Sequence, residues 1–253
     1  MEIKKFKKLK NNIYELELDN GSLVKLYDDV IVKYSLLINK IIDNKLLDEI
    51  TNYNTSLDAY YLSLKYISKK LRCEKEIEKY LTKLEFNKDV IDKTISKLNK
   101  EGYLKHDIYI KSYINDIYNF NNYGPDKIIF NLRELGFNLN EIEPYLEDKD
   151  FRSKAIKIID KKVKANHKLS NYMLKQHISN YLINLGYSKD VFYDYLDNIK
   201  INNKDILIKE ASNYIKKYSK KYENKELLYF VKDKLYKKGY NSDEIDEVLN
   251  ELL

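Results

Sequence analysis

Apolar and polar residues alternate along IYELELDNGSLVKLY, Ile13 to Tyr27, on either side of Asn20-Gly21. Tyr14, Leu16 and Leu18 share one face of the first run, and Glu15 and Glu17 the other. Successive side chains of a strand point to opposite faces, so this period of two reads as a strand with one face buried. Asn-Gly between two such runs predicts a β-hairpin with a two-residue turn. Residues 28–53 read as short helical turns around LLDEI. A small β-containing unit is therefore placed at 1–53.

From Asn54 the period becomes helical. In NNYGPDKIIFNLRELGF, Asn121 to Phe137, Pro125 opens an apolar stripe of Ile128, Ile129, Leu132 and Leu135 that stops at Gly136-Phe137. Proline in the first turn and glycine just past the last mark both ends of a helix. The ending recurs at Phe86, Tyr187 and Tyr240. Leucine stands five positions before each aromatic (Leu81, Leu132, Leu182, Leu235), and Glu85, Gly136, Gly186 or Gly239 immediately before it. Five and nine positions later come Ile91 and Ile95, Ile142 and Leu146, Phe192 and Leu196, Ile245 and Leu249. Residues four apart lie on one face of a helix.

Each copy reads as helix, helix, tight turn, helix. First helices are expected around Tyr60–Lys70, Ile108–Phe120, Ala155–Ala165 and Ile206–Tyr218. Second helices are expected to start at Pro125, at the N-caps Ser170 and Asn224, and beside the acidic run Glu74, Glu76, Glu78. The expected fold is mainly α: tandem three-helix repeats at 54–103, 104–149, 150–199 and 200–253, in an elongated curved array preceded by the small β-hairpin-containing N-terminal unit.

Composition agrees with a packed helical protein, with 43% hydrophobic and 34% charged residues but six glycines and two prolines. The net charge of +6 rests on lysine; Arg72, Arg133 and Arg152 are the arginines. Bidentate reading of guanine is thus poorly provided for. The clusters ISKKLR (67–72), KIIDKKVK (157–164) and YIKKYSKKY (214–222) suit an anionic partner instead. A single cysteine, Cys73, excludes an internal disulfide and matches a reducing cytoplasm. MEIKKFKKLK has no apolar secretory core, and no apolar run reaches membrane length. His106, His167 and His177 have no metal-binding spacing, and no glycine-rich phosphate loop is present. Neither a metal, a cofactor nor a catalytic site is expected.

Several short elements in fixed order carry a resemblance. Arg72 and Glu76 flank Cys73 at a helix start; Gly102-Tyr103-Leu104 with Asp107 forms a junction followed by Tyr109 and Tyr113; Gly124-Pro125 leads through Ile128 and Leu132 to Gly136-Phe137. Together they resemble the bacterial RecX family of regulatory proteins, in its longer Gram-positive-type form. The departures are Cys73 where serine is usual, His106 where an acidic residue is common, and Asn115 and Asp116 where many relatives are basic. The resemblance implies a non-catalytic, monomeric, cytoplasmic regulator. Such proteins lie along the groove of the RecA recombinase filament on single-stranded DNA and restrain its ATPase, strand-exchange and coprotease activities. Single- or double-stranded DNA is a further expected partner, through the lysine clusters. Lys69, Lys70, Arg72, Lys127 and Arg133 flank the motif off its apolar stripe and are the candidate partner-binding residues. Gly102, Tyr103, Leu104, Asp107, Gly124, Pro125, Ile128, Leu132, Gly136 and Phe137 are read as mainly structural. The alternative reading is a direct DNA-binding protein built of tandem helix-turn-helix-like units.

Overall fold

The computed structural model describes residues 1–252, apart from the side chain of Asn224. It forms two compact units, Met1–Ile110 and Lys111–Leu253.

The first unit opens with an antiparallel sheet of β1 (Ile3–Lys8), β2 (Ile13–Leu18) and β3 (Leu23–Tyr27), β2 in the centre. Leu16 and Leu18 are buried, as the alternation requires. The turn differs from expectation, because three residues make it rather than two. The Leu18 N–H donates to the Ser22 carbonyl at 2.9 Å and the Gly21 N–H to the Leu18 carbonyl at 2.9 Å, with Gly21 at φ +79°. A type I turn closed by a left-handed glycine is the three-residue solution for a hairpin. Strand β1 has no period of two, because its apolar residues Ile3 and Phe6 are three apart. A register shift between Ile3 and Lys5 nonetheless sets Ile3 opposite Leu18 and Phe6 opposite Leu16. The bulge restores a common inward face.

After α1 (Asp28–Lys33), helix α2 (Asn44–Ile67) starts at Asp43, whose carboxylate accepts the Leu46 N–H at 2.7 Å. It runs unbroken through positions 53 and 54, where the period changes. As far as Leu57 it packs Ile50 and Leu57 with Ile3, Leu16, Leu18 and Leu26 beneath the sheet. Its second half packs Ala59 with Ile77, Leu81, Val90, Ile91 and Leu98, from α3 (Glu74–Lys83) and α4 (Lys88–Lys100), and with Leu104. The pattern change marks a change of packing partner inside one helix. Asn54 also seals the outer edge of β3, accepting the Tyr27 N–H at 2.9 Å and donating to the Lys25 carbonyl at 3.3 Å.

Helix α5 (His106–Phe120) runs across the division between the units. The second unit continues with α6 (Pro125–Glu134), α7 (Leu139–Ile142), α8 (Phe151–Lys164), α9 (Asn171–Asn184), α10 (Lys189–Asn198), α11 (Lys204–Tyr218), α12 (Asn224–Lys237) and α13 (Ser242–Leu252). Helix α8 begins at Phe151, four residues before the expected Ala155, and is capped by Asp150, whose carboxylate accepts the Ser153 N–H at 2.9 Å. Ser170 caps α9 as expected, accepting the Met173 N–H at 3.3 Å. Glu223 holds the N-cap position of α12, one residue before the expected Asn224, whose side chain lies outside the described residues. In the second repeat the third helix is cut to one α turn and a 3-10 turn, Glu143–Tyr145. Pro144 supplies no N–H and its ring obstructs continuation, yet Ile142 and Leu146 stay buried.

The recurrent leucine–glycine–aromatic spacing is a helix ending with two specific hydrogen bonds. The aromatic N–H returns to the leucine carbonyl: Phe86 to Leu81 (3.2 Å), Phe137 to Leu132 (3.1 Å), Tyr187 to Leu182 (3.0 Å) and Tyr240 to Leu235 (3.3 Å). The preceding N–H bonds one residue further along: Glu85 to Thr82 (3.0 Å), Gly136 to Arg133 (2.9 Å), Gly186 to Ile183 (2.9 Å) and Gly239 to Tyr236 (2.8 Å). This is the Schellman motif, whose hydrophobic contact joins the same leucine and aromatic positions. The residue before the aromatic is left-handed in every copy, Glu85 included at φ +63°. Glu85 bears the strain that glycine avoids elsewhere.

Within the second unit these endings also join repeats. The Gly124 N–H donates to the Leu185 carbonyl at 2.8 Å, and the Asp126 N–H to the Gly186 carbonyl at 3.1 Å. The start of α6 is thus capped by the turn that ends α9. A Cβ on Gly124 would lie 2.3 Å from the Gly186 oxygen, so only glycine lets the two backbones approach. The next junction repeats the arrangement with a side chain: the Ser170 hydroxyl at the start of α9 donates to the Lys238 carbonyl at 2.6 Å, beside Gly239. Gly124→Ala is expected to destabilise the protein by about 1–3 kcal/mol, the usual range for forced overpacking. Its φ of −83° suits alanine, so an unchanged thermal melt would contradict this backbone contact.

Candidate partner-binding site

The five charged candidates fall into two sets, Lys69, Lys70 and Arg72 in the first unit and Lys127 and Arg133 in the second. Lys69 and Lys70 sit in the exposed turn after α2, with no ion pair among the described residues. Arg72 is differently employed. Its side chain is 17% exposed, its guanidinium lies 2.9 Å from Glu76, and its Cζ stands 3.8 Å from the Tyr66 ring centre. Tyr66 in turn stacks on Tyr80 at 4.2 Å. Arg72 therefore orders the junction between α2 and α3, and little of it faces solvent.

Glu76 holds the other end of that junction. Its second oxygen accepts the Cys73 N–H at 3.2 Å, the return bond of a capping box. Burial resists ionisation of Glu76, but the Cys73 amide and the Arg72 guanidinium outweigh it and hold its carboxyl below the ordinary glutamate range. The Cys73 thiol is buried, and burial pushes its pKa up. That is the opposite of what a reactive thiolate needs. Tyr109, also buried, has its hydroxyl pKa raised by burial and by the neighbouring Cys73 and Glu76.

Helix α6 presents a different surface. Ile128 and Leu132 are fully buried on one side. Off that stripe lie Lys127, Phe130 and Arg133, spaced three apart along the helix and so neighbours on its surface. Phe130 is 56% exposed, and the Lys127 ammonium stands 5.0 Å from its ring centre. Beside them is an open groove of about 440 Å³ lined by Asp126, Ile129, Phe130, Arg133 and Glu134. Phe130 was not among the sequence candidates. Its signal is phase: it interrupts the stripe of Ile128, Ile129, Leu132 and Leu135. Phe120, at the end of α5, is 83% exposed. Lys154 was also missed; its ammonium caps that end of α5, donating to the carbonyls of Tyr118 and Asn121, and burial lowers its pKa.

Of the family-motif residues, Leu104, Ile128, Leu132 and Phe137 are buried, whereas Tyr103 is 46% exposed. Gly102, at φ +76°, lets the Tyr103 N–H return to Leu98 at 3.0 Å, and Leu104 is buried. Asp107 lies in the first turn of α5, where a carboxylate favours the helix dipole. Pro125 is the first residue of α6. Among the described residues no group of three or more His, Cys, Asp or Glu is placed to hold a metal ion. Among the described residues no helix is long and apolar enough to cross a membrane.

Because the folded pKa of Glu76 is lowered, its contribution is present at neutral pH and is lost as pH falls through the carboxylate range. Glu76→Gln is expected to destabilise the protein by about 1–3 kcal/mol at pH 7, the scale of a hydrogen bond to a charged group. Parallel denaturant titrations of both proteins on acidification should converge. A pH-independent difference would contradict the assignment.

The comparisons with known proteins agree with this architecture. The family model for the first three-helix domain of RecX matches residues 59–98. The chain is 32% identical over 259 aligned positions to the regulatory protein RecX of Streptococcus uberis, covering all of both chains. It is 30% identical, again over both full lengths, to that of Streptococcus agalactiae. Among solved structures, a regulatory protein RecX superimposes with a TM-score of 0.66 at 22% identity, over 79% of this chain and 100% of the other. RecX from Lactobacillus salivarius does so with a TM-score of 0.50 at 27% identity, over 57% of this chain and 97% of the other. With full-length identity at this level and the same three-helix domains, the chain belongs to the RecX family of regulatory proteins.

Proposed function

We propose that this protein binds the RecA recombinase filament in the cytoplasm and restrains its ATPase, strand-exchange and coprotease activities without catalysing a reaction itself. The contact assigned to this role is the face of α6 bearing Lys127, Phe130 and Arg133. The observation that carries the assignment is an exposed phenylalanine between two cations, beside a groove, on a helix whose other side is locked in the core. An aromatic anchor within a charged rim is the usual anatomy of a protein-binding hot spot. The exposed Lys69 and Lys70 give the first unit a separate contact. Two modest contacts on one chain strengthen each other when the partner is a polymer that offers its site repeatedly.

The test is RecA ATPase on single-stranded DNA, with the cognate recombinase and saturating protein. The wild type should lower turnover. The variant K127E/F130A/R133E should lose most of that effect while melting like the wild type, because all three side chains lie off the core stripe. Unchanged turnover with wild-type protein would overturn the recombinase reading. Full restraint by the folded triple variant would overturn the placement of the contact on α6.

A further inference from the structure

The two edges of the N-terminal sheet are finished differently. On β3 the Asn54 side chain occupies the outward backbone groups. On β1 the chain's own residues 40–42 take only the first outward position. The Ile3 N–H donates to the Lys40 carbonyl at 2.8 Å, the Ile42 N–H donates to the Met1 carbonyl at 2.8 Å, and Glu2 and Ile41 form an antiparallel bridge. The segment then leaves the edge for Asp43 and α2.

The strand register identifies the groups that remain. The Leu18 N–H donates toward β3, to the Ser22 carbonyl, so Leu16 and Tyr14 also turn their backbone groups to β3. Their partners on β1, Phe6 and Lys8, therefore turn theirs away from β2. Strand β1 is outermost, and among the described residues no hydrogen bond reaches the Phe6 or Lys8 backbone from beyond it. Each of the two residues offers one N–H and one carbonyl to a further strand.

Charge decides what such a strand can be. Lys4, Lys5, Lys7, Lys8 and Lys10 are exposed along β1 and the turn after it. Glu2 engages Lys4 at 2.8 Å and Glu15 reaches Lys7 at 3.8 Å, whereas Lys5, Lys8 and Lys10 have no ion pair among the described residues. A strand outside β1 would lie about 4.8 Å from it and about twice as far from the glutamates of β2. The larger distance approaches the ~10 Å over which salt screens exposed charges, so the lysines dominate. Two copies of this edge would bring lysine against lysine, which keeps them apart. The same charge attracts a strand of opposite sign.

We propose that the outer edge of β1 is a docking site for an acidic peptide segment in extended conformation, which joins the sheet as a fourth strand. Main-chain bonds to Phe6 and Lys8 supply the hold and the lysines select the sequence, the division of labour in strand addition. Cross-strand pairs of opposite charge strengthen it. Ile41, 80% exposed at the start of the edge, adds one apolar contact.

The test is fluorescence anisotropy of the full-length protein with a labelled peptide of alternating Glu and Val, combined with hydrogen exchange of the same mixture. No recombinase is present, so the outcome is independent of the function proposed above. Saturable binding that weakens as salt rises is expected. The Phe6 and Lys8 amides should exchange fast in the free protein and slowly at saturation, with Lys7, paired to β2, protected in both. Lys8→Pro removes an outward donor without breaking a bond to β2, and should weaken binding roughly fivefold, the scale of one hydrogen bond. Its melting curve separates that loss from misfolding. K8E/K10E changes only exposed side chains and should weaken binding roughly tenfold or more at low salt. Absence of saturable binding at low salt would overturn the site, as would unchanged exchange at Phe6 and Lys8. Equal binding of the same peptide N-methylated at alternate residues, in both phases, would rule out strand addition. Tighter binding of oligo(dT) in competition for this edge would assign it to nucleic acid and contradict the peptide assignment. A monomer–dimer equilibrium abolished by Lys8→Pro would assign it to a second copy, with the same consequence.

Discussion

Two backbone hydrogen bonds, from Gly124 to Leu185 and from Asp126 to Gly186, hold much of the second unit in register. The first amides of a helix have no partner within it, and the last turn of a helix has carbonyls to spare. Here one deficiency answers the other across a junction between repeats. The left-handed glycine that ends α9 turns its carbonyl toward the start of α6, and the absence of a side chain at Gly124 lets the two backbones meet. At the next junction a serine hydroxyl performs the equivalent task for a carbonyl beside Gly239. A sequence with six glycines uses three of them at these two joints.

That constraint separates structure from function along the motif residues. Gly124, Pro125, Ile128, Leu132 and Gly136 are committed to a helix, its ends and its core. Under the function proposed above, partner contact falls to Lys127, Phe130 and Arg133, which lie off that buried stripe. The same division separates the charged residues. Arg72 and Glu76 build the joint between α2 and α3, with Glu76 serving as both ion-pair partner and helix cap. Lys127 and Arg133 instead flank an exposed ring.

The helical repeats were legible because the ending that defines them is local: one leucine, one left-handed residue and one aromatic within six positions. The hairpin was legible in its alternation but not in its turn length. Asn-Gly is compatible with two- and three-residue loops, and the pairing of Leu18 with Ser22 decides between them. Strand β1 was not legible, because the bulge that aligns Ile3 and Phe6 exists only in the presence of β2. The unbroken run of α2 was hidden for a related reason: its two halves face different cores, so its apolar phase shifts while the helix continues. The partner-site candidates were chosen by charge and proximity to the motif. Charge alone could not tell the half-buried Lys127, whose ammonium lies beside an exposed ring, from the enclosed Arg72, and it passed over Phe130 altogether.

The junction between repeats is tested most directly by native-state hydrogen exchange at the Gly124 and Asp126 amides. Amides at the start of a helix ordinarily exchange fast for want of an intrahelical partner. The structure gives both of these a carbonyl from the next repeat, so they should open only with the α9 core, at protection comparable to the amides around Ile178 and Leu182. Exchange at the rate of an exposed loop, with α9 still protected, would contradict the claim that this turn joins the repeats.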